Sequence, residues 1–410
     1  MPTTAEEVAF LKPIRAAFAD DGPRLIYADY LGESNQPTDI ARSEFIRLQI
    51  AIARLDDDHA QKRSLLRRQN ELLIRFHAEW TKPLRELVSG CEFRRGILDT
   101  VSVDARVFCD RGNRLFRDTA IRRVKFLDAG AKMDKLAQFP ALAQVRELDL
   151  CGNDLGNGGL NLLLRSPYLQ QLESLDLSFN GIGNGGAEML ANARSLAKLR
   201  ALHLNDNRTI GCDGIRSLAR SPFFGQLRTL DVSGNDVADA GLVSLIESPT
   251  LSRLNRLRLH ANRIGDVGVA ALAQSDLLGR MLKRSGRLDL RENDIGPIGA
   301  TALAASLAMA SARALDLGGN QLRDDGVIAL AESEFLGRLR KLNLGHNRVG
   351  DPGAARLAFS ALMTRLDALD VSSNRITPRA VELLWAKRKN FNTALESSGQ
   401  FGFSTIRGSG

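Results

Sequence analysis

The sequence predicts an α/β solenoid, a horseshoe with parallel strands on the concave side and helices on the convex side, behind a small all-α N-terminal domain. Two observations carry this. The segment L-x-L/V-x-x-N recurs nine times, with asparagines at Asn153, Asn180, Asn207, Asn235, Asn262, Asn293, Asn320, Asn347 and Asn374. Eight intervals of 27, 27, 28, 27, 31, 27, 27 and 27 residues separate them, and a beat this regular marks stacked units. An aliphatic-rich stretch such as Ala270-Ala271-Leu272-Ala273 follows as a short helix, whereas the first ninety residues show helical spacing without the beat.

Residues 1–90 read as a helical bundle. Residues 4–31 are helical, opened by a capping box of Thr4 with Glu7, with Val8, Leu11, Ile14 and Phe18 at helical spacing. Pro13 is an awkward guest that kinks this stretch, and Pro23 opens a second helix. Phe45, Leu48, Ile52 and Leu55 form the stripe of a third. Asp56-Asp57-Asp58 suits the positive end of a fourth, whose buried face is Leu65, Leu72, Phe76 and Trp80. The strings PRLIYADYL (23–31) and SEFIRLQ (43–49) resemble the bacterial repeat-companion domain over about residues 5–55, with Tyr30 where that family has Trp. The resemblance implies a neighbour of repeats and no chemistry. Tyr27-Ala28-Asp29-Tyr30 reads either as a docking surface or as an exposed carboxylate between partly buried tyrosines.

Residues 91–144 read as degenerate capping repeats, because an exposed repeat end needs covering. In RRGILDTVSVDA (94–105) and IRRVKFLDAG (121–130), Val101/Val103 and Val124/Phe126 fill the leucine positions without the asparagine. The nine regular repeats occupy 145–389. In Leu148-Asp149-Leu150 the leucines share one face of a short strand and the aspartate points to the other. The asparagine turns inward to satisfy backbone groups left unpaired at the bend. Six residues on (seven in the third copy) comes glycine, at 159, 186, 214, 241, 268, 299, 326 and 353, with Ala380 in the last copy. A side chain there would obstruct the helix entry. Strands stack about 4.8 Å apart while helices prefer about 8–10 Å, so such a stack must curve. The tail, 390–410, is rich in Gly, Ser and Thr and is expected to fray.

This pattern resembles the leucine-rich repeat family, in the ribonuclease-inhibitor-like class with a helix in every repeat, over about residues 145–385. Four extra residues around Lys283-Arg284-Ser285-Gly286 and alanine at position 312 are the departures. In one copy, LDLSFNGIGNGGAEML, Gly181, Gly183 and Gly186 spell a dinucleotide fingerprint, with Asp206 twenty positions beyond. Gly186 belongs to the repeat and Gly181 to one copy alone, whereas a fingerprint should be singular. No cofactor is expected.

Composition narrows the function. Basic residues number 56 and acidic 48, but residues 1–130 hold 22 and 20, so no basic arm stands out beyond Lys387-Arg388-Lys389. That disfavours nucleic acid as partner. Cys91, Cys109, Cys151 and Cys212 are far apart without a C-x-x-C pair, which suits a reducing, cytoplasmic setting. No secretory signal is visible. The uncharged run Ile295–Ala312 is weakly apolar and in register with the repeats, so it reads as a buried helix and not as a membrane span. His203, His260 and His346 fall in separate repeats and do not suggest a metal site, while His59 and His77 lie on the N-terminal helices.

The outward strand positions are the candidate site. They read Asp149, Asp176, His203, Asp231, Arg258, Asp289, Asp316, Asn343 and Asp370, an acidic column in which adjacent like charges repel. Arg256, Arg258, His260, Arg287 and Arg291 interrupt it as a basic patch beside the insertion. The sequence supports two readings: common usage of L-D-L with a self-neutralising Asp231–Arg258–Asp289 ladder, or a protein-binding face of matching charge. The expectation is a non-enzymatic, monomeric scaffold for a protein partner. The resemblance also implies alternatives, an inhibitor or a GTPase-activating-type regulator acting in trans, though no residue matches a catalytic residue of those proteins. Nucleic-acid binding is the third.

Overall fold

The structure, a computed structural model, describes residues 5–55, 59–117 and 119–387. Thr4, Asp56-Asp57-Asp58, Arg388, Lys389 and the tail expectation lie outside them. The chain divides into two compact units, residues 1–180 and 181–410.

The first unit opens with four helices: α1 (Ala5–Ala16), α2 (Gly22–Gly32), α3 (Pro37–Arg54) and α4 (Lys62–Trp80). Helix α1 runs through Pro13, and Pro23 stands in the first turn of α2. The expected α3 stripe is corrected. Phe45 is buried, but Leu48 and Ile52 are only partly so, and Ala41, Ile46 and Ile50 are buried instead. The cause is that α3 serves two cores: Ile46 and Ile50 join Leu11, Ile14 and Leu31, whereas Ala41 and Phe45 join Leu72. On α4, Leu72 is buried and Leu65, Phe76 and Trp80 are partly buried.

A hairpin follows, β1 (Gly90–Arg94) antiparallel to β2 (Ile97–Asp104). Its turn residues, Arg95 and Gly96, have φ of 51° and 79°, as a two-residue hairpin turn requires. A Cβ on Gly96 would lie 2.3 Å from the Ile46 Cα, so only glycine lets the turn press on α3. After α5 (Ala105–Arg111) and α6 (Asn113–Arg117) come β3 (Arg123–Leu127), α7 (Met133–Ala137), β4 (Glu147–Asp149), α8 (Gly156–Leu164) and β5 (Ser174–Asp176). Strands β2 to β5 are parallel and in register, Val101 opposite Val124, Val124 opposite Leu148, and Leu148 opposite Leu175. The two degenerate strands therefore continue the leucine column.

The second unit repeats one motif: α9 (Asn184–Ala191), β6 (Ala201–His203), α10 (Cys212–Ala219), β7 (Thr229–Asp231), α11 (Ala238–Ile246), β8 (Arg256–Arg258), α12 (Asp266–Gln274) and α13 (Asp276–Ser285). It continues with β9 (Arg287–Asp289), α14 (Pro297–Ala304), β10 (Ala314–Asp316), α15 (Arg323–Ala331), β11 (Lys341–Asn343), α16 (Asp351–Ala358), β12 (Ala368–Asp370) and α17 (Pro378–Lys387). Strands pair with strands and helices pack on helices, so the unit is a solenoid with a strand side and a helix side. Ile295–Ala312 holds α14 and a 3₁₀ turn, and no described helix is long and apolar enough to cross a membrane.

Two polar ladders tie repeat to repeat. Asparagine amides donate to a carbonyl about one repeat earlier, as Asn320 Nδ2 does to Leu290 O at 3.0 Å, while its Oδ1 accepts the Ile295 N–H at 3.0 Å. This is the backbone satisfaction the sequence suggested. The second ladder was not foreseen. Asp266 Oδ1 accepts the N–H groups of Gly296 and Gly299, both at 2.7 Å, and so caps the helix of the next repeat. Asp324 does the same for Gly350 and Gly353, and Asn184 for Gly211 and Gly214.

Candidate protein-binding face

Short strands of alternating burial fix the outward row. Leu257 is buried while Arg256 and Arg258 on either side are exposed. In register, Asp149 faces Asp176 in the first unit, and His203 faces Asp231, which faces Arg258, in the second. Asp289 faces Asp316, then Asn343, then Asp370.

The aspartates have a local role that the sequence reading missed. Asp149, Asp176, Asp231, Asp289, Asp316 and Asp370 each accept, through Oδ1, the N–H two residues ahead, at 2.8–3.2 Å. This Asx turn ends each strand, so L-D-L usage follows from chain geometry. The column is nonetheless electrostatically stressed. Burial raises the pKa of Asp149 and of Asp316 against the lowering effect of that turn bond, and the facing Asp176 and Asp289 add to the rise.

The basic patch is partly neutralised from within. Arg258 Nη1 donates to Asp231 Oδ2 at 3.0 Å, and His203 Nδ1 lies 3.9 Å from the same oxygen. Asp289 Oδ2 has Arg291 at 3.8 Å and His260 at 3.9 Å. Half of the self-neutralising ladder is thus present, Asp231–Arg258, while Asp289 takes other cations. Arg256 and Arg287 stand apart: both are exposed, and neither has a carboxylate within 4.0 Å among the described residues.

The strand ladder stops between them. Strands β6–β8 form one parallel run and β9–β12 another, and backbone pairing resumes only at Ala261 N to Arg291 O, 3.0 Å. The four-residue insertion is the cause. It appears as a second helix in the same repeat, α13, capped by the Ser275 side chain and ended by Gly286 in the left-handed region at φ 64°. Leu277, Leu278, Met281 and Leu282 bury its apolar side, and it packs against the 3₁₀ turn at Leu307–Ser311. Helix α12 then packs directly on α14 and α13 lies outside the helix row.

The other candidate residues fall into ordinary roles. Tyr27 is buried, the exposed Asp29 pairs with Arg47, and Tyr30 donates to Glu6 at 3.1 Å. Gly183 is the N-cap residue of α9 and Gly186 is buried. Gly181 sits at φ 64° with open space around it, a conformation that Asp154 and Arg208 adopt in neighbouring copies.

A family profile described as Leucine Rich repeat matches residues 168–191, 195–219, 227–245, 252–273, 287–304, 313–331 and 339–358. Among curated proteins, no sequence matches the chain. A solved internalin (inlF) from Listeria monocytogenes str. 4b F2365 aligns at 18% identity and TM-score 0.42, covering 76% of this chain and 93% of its own. That likeness is too distant to carry an argument.

Proposed function

From the premise that the chain is a leucine-rich repeat protein, we propose a non-enzymatic scaffold that holds a protein partner against the outward face of its strands. Such repeats commonly serve as interaction scaffolds. The observation that carries the reading is the pair Arg256 and Arg287. They are exposed without a carboxylate partner, at the break in the strand ladder, between the neutralised Asp231 and the shared Asp289. Arginine is favoured where binding energy concentrates, and complementary charge sets on-rate and specificity. Arg258 and Arg291 belong to the same face but are held internally, so they position charge more than they offer it.

Finer parts of the proposal have their own support. A helix between successive strands of the second unit favours the ribonuclease-inhibitor-like class. Exposed Ile26, Ile40 and Ile74 on α2, α3 and α4 favour a docking role for the N-terminal, repeat-companion-like module. A reducing, cytoplasmic setting fits four cysteines of which none forms a disulfide.

The test is affinity capture from the source cell with the full chain, wild type beside Arg256→Glu/Arg287→Glu. Partner recovery should fall about tenfold or more in the variant while its thermal midpoint stays put. Equal recovery by both proteins would end the proposal.

A further inference from the structure

The inserted helix creates a second feature away from the outward row. Between the C-terminal end of α13 and the segments entering β10 and β11 lies a groove of about 320 Å³. Lys283, Arg284, Arg313 and Arg338 line it, together with Ser285 and Gly286, and no carboxylate does. All four cationic side chains are exposed. Elsewhere in this unit, Arg216, Arg258, Arg263 and Arg356 each have an acidic partner within 4.0 Å, whereas none of the four groove cations has one among the described residues. The stem of Arg313 lies over Gly286, where an added Cβ would come within 3.3 Å of it, so the left-handed glycine also holds the groove's floor.

We propose that this groove is a binding site for an extended acidic peptide segment. Clustered like charges repel one another and need an anion from outside. The cations come from the inserted helix and from the segments entering two successive strands, and charges contributed by several elements suit several carboxylates better than one compact group. A phosphate cradle would need backbone N–H groups aimed into the groove. Those of Gly286 and Arg313 are engaged, by Leu282 O and Gly286 O, both at 2.7 Å. Ser285 Oγ is also engaged, donating to Met281 O at 3.1 Å and accepting from Arg287 N at 3.1 Å. No aromatic ring lines the groove, so nucleic-acid bases have no stacking platform. The inference rests on the scaffold reading only in taking the ligand to be a peptide.

The test needs no knowledge of the partner. A fluorescein-labelled hexaglutamate peptide is titrated with the full chain at low salt, followed by anisotropy. Arg313→Glu/Arg338→Glu should weaken binding about tenfold or more, and Arg375→Glu/Arg379→Glu, an equal change of charge at exposed positions, by about twofold or less. Arg256→Glu/Arg287→Glu should behave like that control, so a failed capture experiment and a failed groove remain distinguishable. Three outcomes overturn the proposal: no binding by the wild type, equal losses in the groove variant and the charge control, or displacement of the peptide by pyrophosphate or oligothymidylate at lower concentration than by unlabelled hexaglutamate. Thermal midpoints of both variants establish that they are folded.

Discussion

Asp231 and Arg258 face each other across adjacent strands, joined by a 3.0 Å hydrogen bond from Nη1 to Oδ2. Asp231 is 3% exposed, and burial alone would raise its pKa. The nearby His203 ring and hydrogen bonds from Ser233 and Arg258 outweigh that and hold it at about 2. A carboxylate depressed in this way contributes stability above its unfolded value of about 3.9, and the contribution vanishes as pH falls through the folded value. We expect this group to cost the second unit on the order of 2 kcal/mol between about pH 5 and pH 2. Urea unfolding at stepped pH should show a shallower acid limb for Asp231→Asn, and an unchanged limb would contradict the assignment.

Asp99 works in the opposite sense. It is 2% exposed, its Oδ1 has no hydrogen-bond partner, and burial followed by Glu147 pushes its pKa up to about 6. Between its unfolded value of about 3.9 and that folded value, the folded state holds the extra proton, so stability falls as pH rises and stays reduced above it. Asp99→Asn should therefore raise stability near neutral pH by roughly 1–2 kcal/mol and do little near pH 4. Equal shifts at both pH values would refute this.

The asparagine ladder predicts a large local effect. Asn320→Ala leaves the Leu290 and Leu317 carbonyls and the Ile295 N–H without their buried partner. A loss of about 2–4 kcal/mol is expected in chemical denaturation. An exposed polar change such as Glu334→Ala should cost less than about 0.5 kcal/mol.

Glycines differ by what a methyl group would meet. At Gly299 a Cβ would fall 2.7 Å from Asp266 Oδ1 and 2.9 Å from Ile295 Cγ2, displacing the carboxylate that caps α14. Gly299→Ala should destabilise by roughly 1–3 kcal/mol. Gly225 has nothing within 4 Å and a negative φ, so Gly225→Ala should be neutral or slightly stabilising. Thermal midpoints of the pair decide it: comparable losses in both would remove the steric explanation.

Most of the solenoid is legible because leucine and asparagine recur at fixed offsets and each has one job. Val101 and Val124 were readable for the same reason, since any aliphatic side chain fills the buried column. The roles of Asp149 or Asp316 were not, because an aspartate that ends a strand and one that greets a partner look alike in sequence. The caps at Asp266 and Asp324 escaped notice because each acts on the following repeat's helix, 26–33 residues away. The insertion was visible as a spacing of 31, but its helix was not. Ten residues with two apolar pairs, Leu277-Leu278 and Met281-Leu282, and two basic residues in the last turn belong to no repeat template. Arg313 and Arg338 went unremarked because they become neighbours of Lys283 and Arg284 only through that helix.

The asparagine bonds have a bearing on ancestry. Asn180, Asn262, Asn320, Asn347 and Asn374 all reach back 30 positions, to Leu150, Val232, Leu290, Leu317 and Leu344. Where neighbouring links share a span, recombination between copies can add or delete a whole unit and leave each remaining bond intact. The lineage is then able to change copy number in single steps, lengthening or shortening its array as partners change. Asn153, reaching 27 positions to Phe126, Asn235, reaching 31 to Leu204, and Asn293, reaching 34 to Leu259, mark junctions that such an exchange must carry along whole.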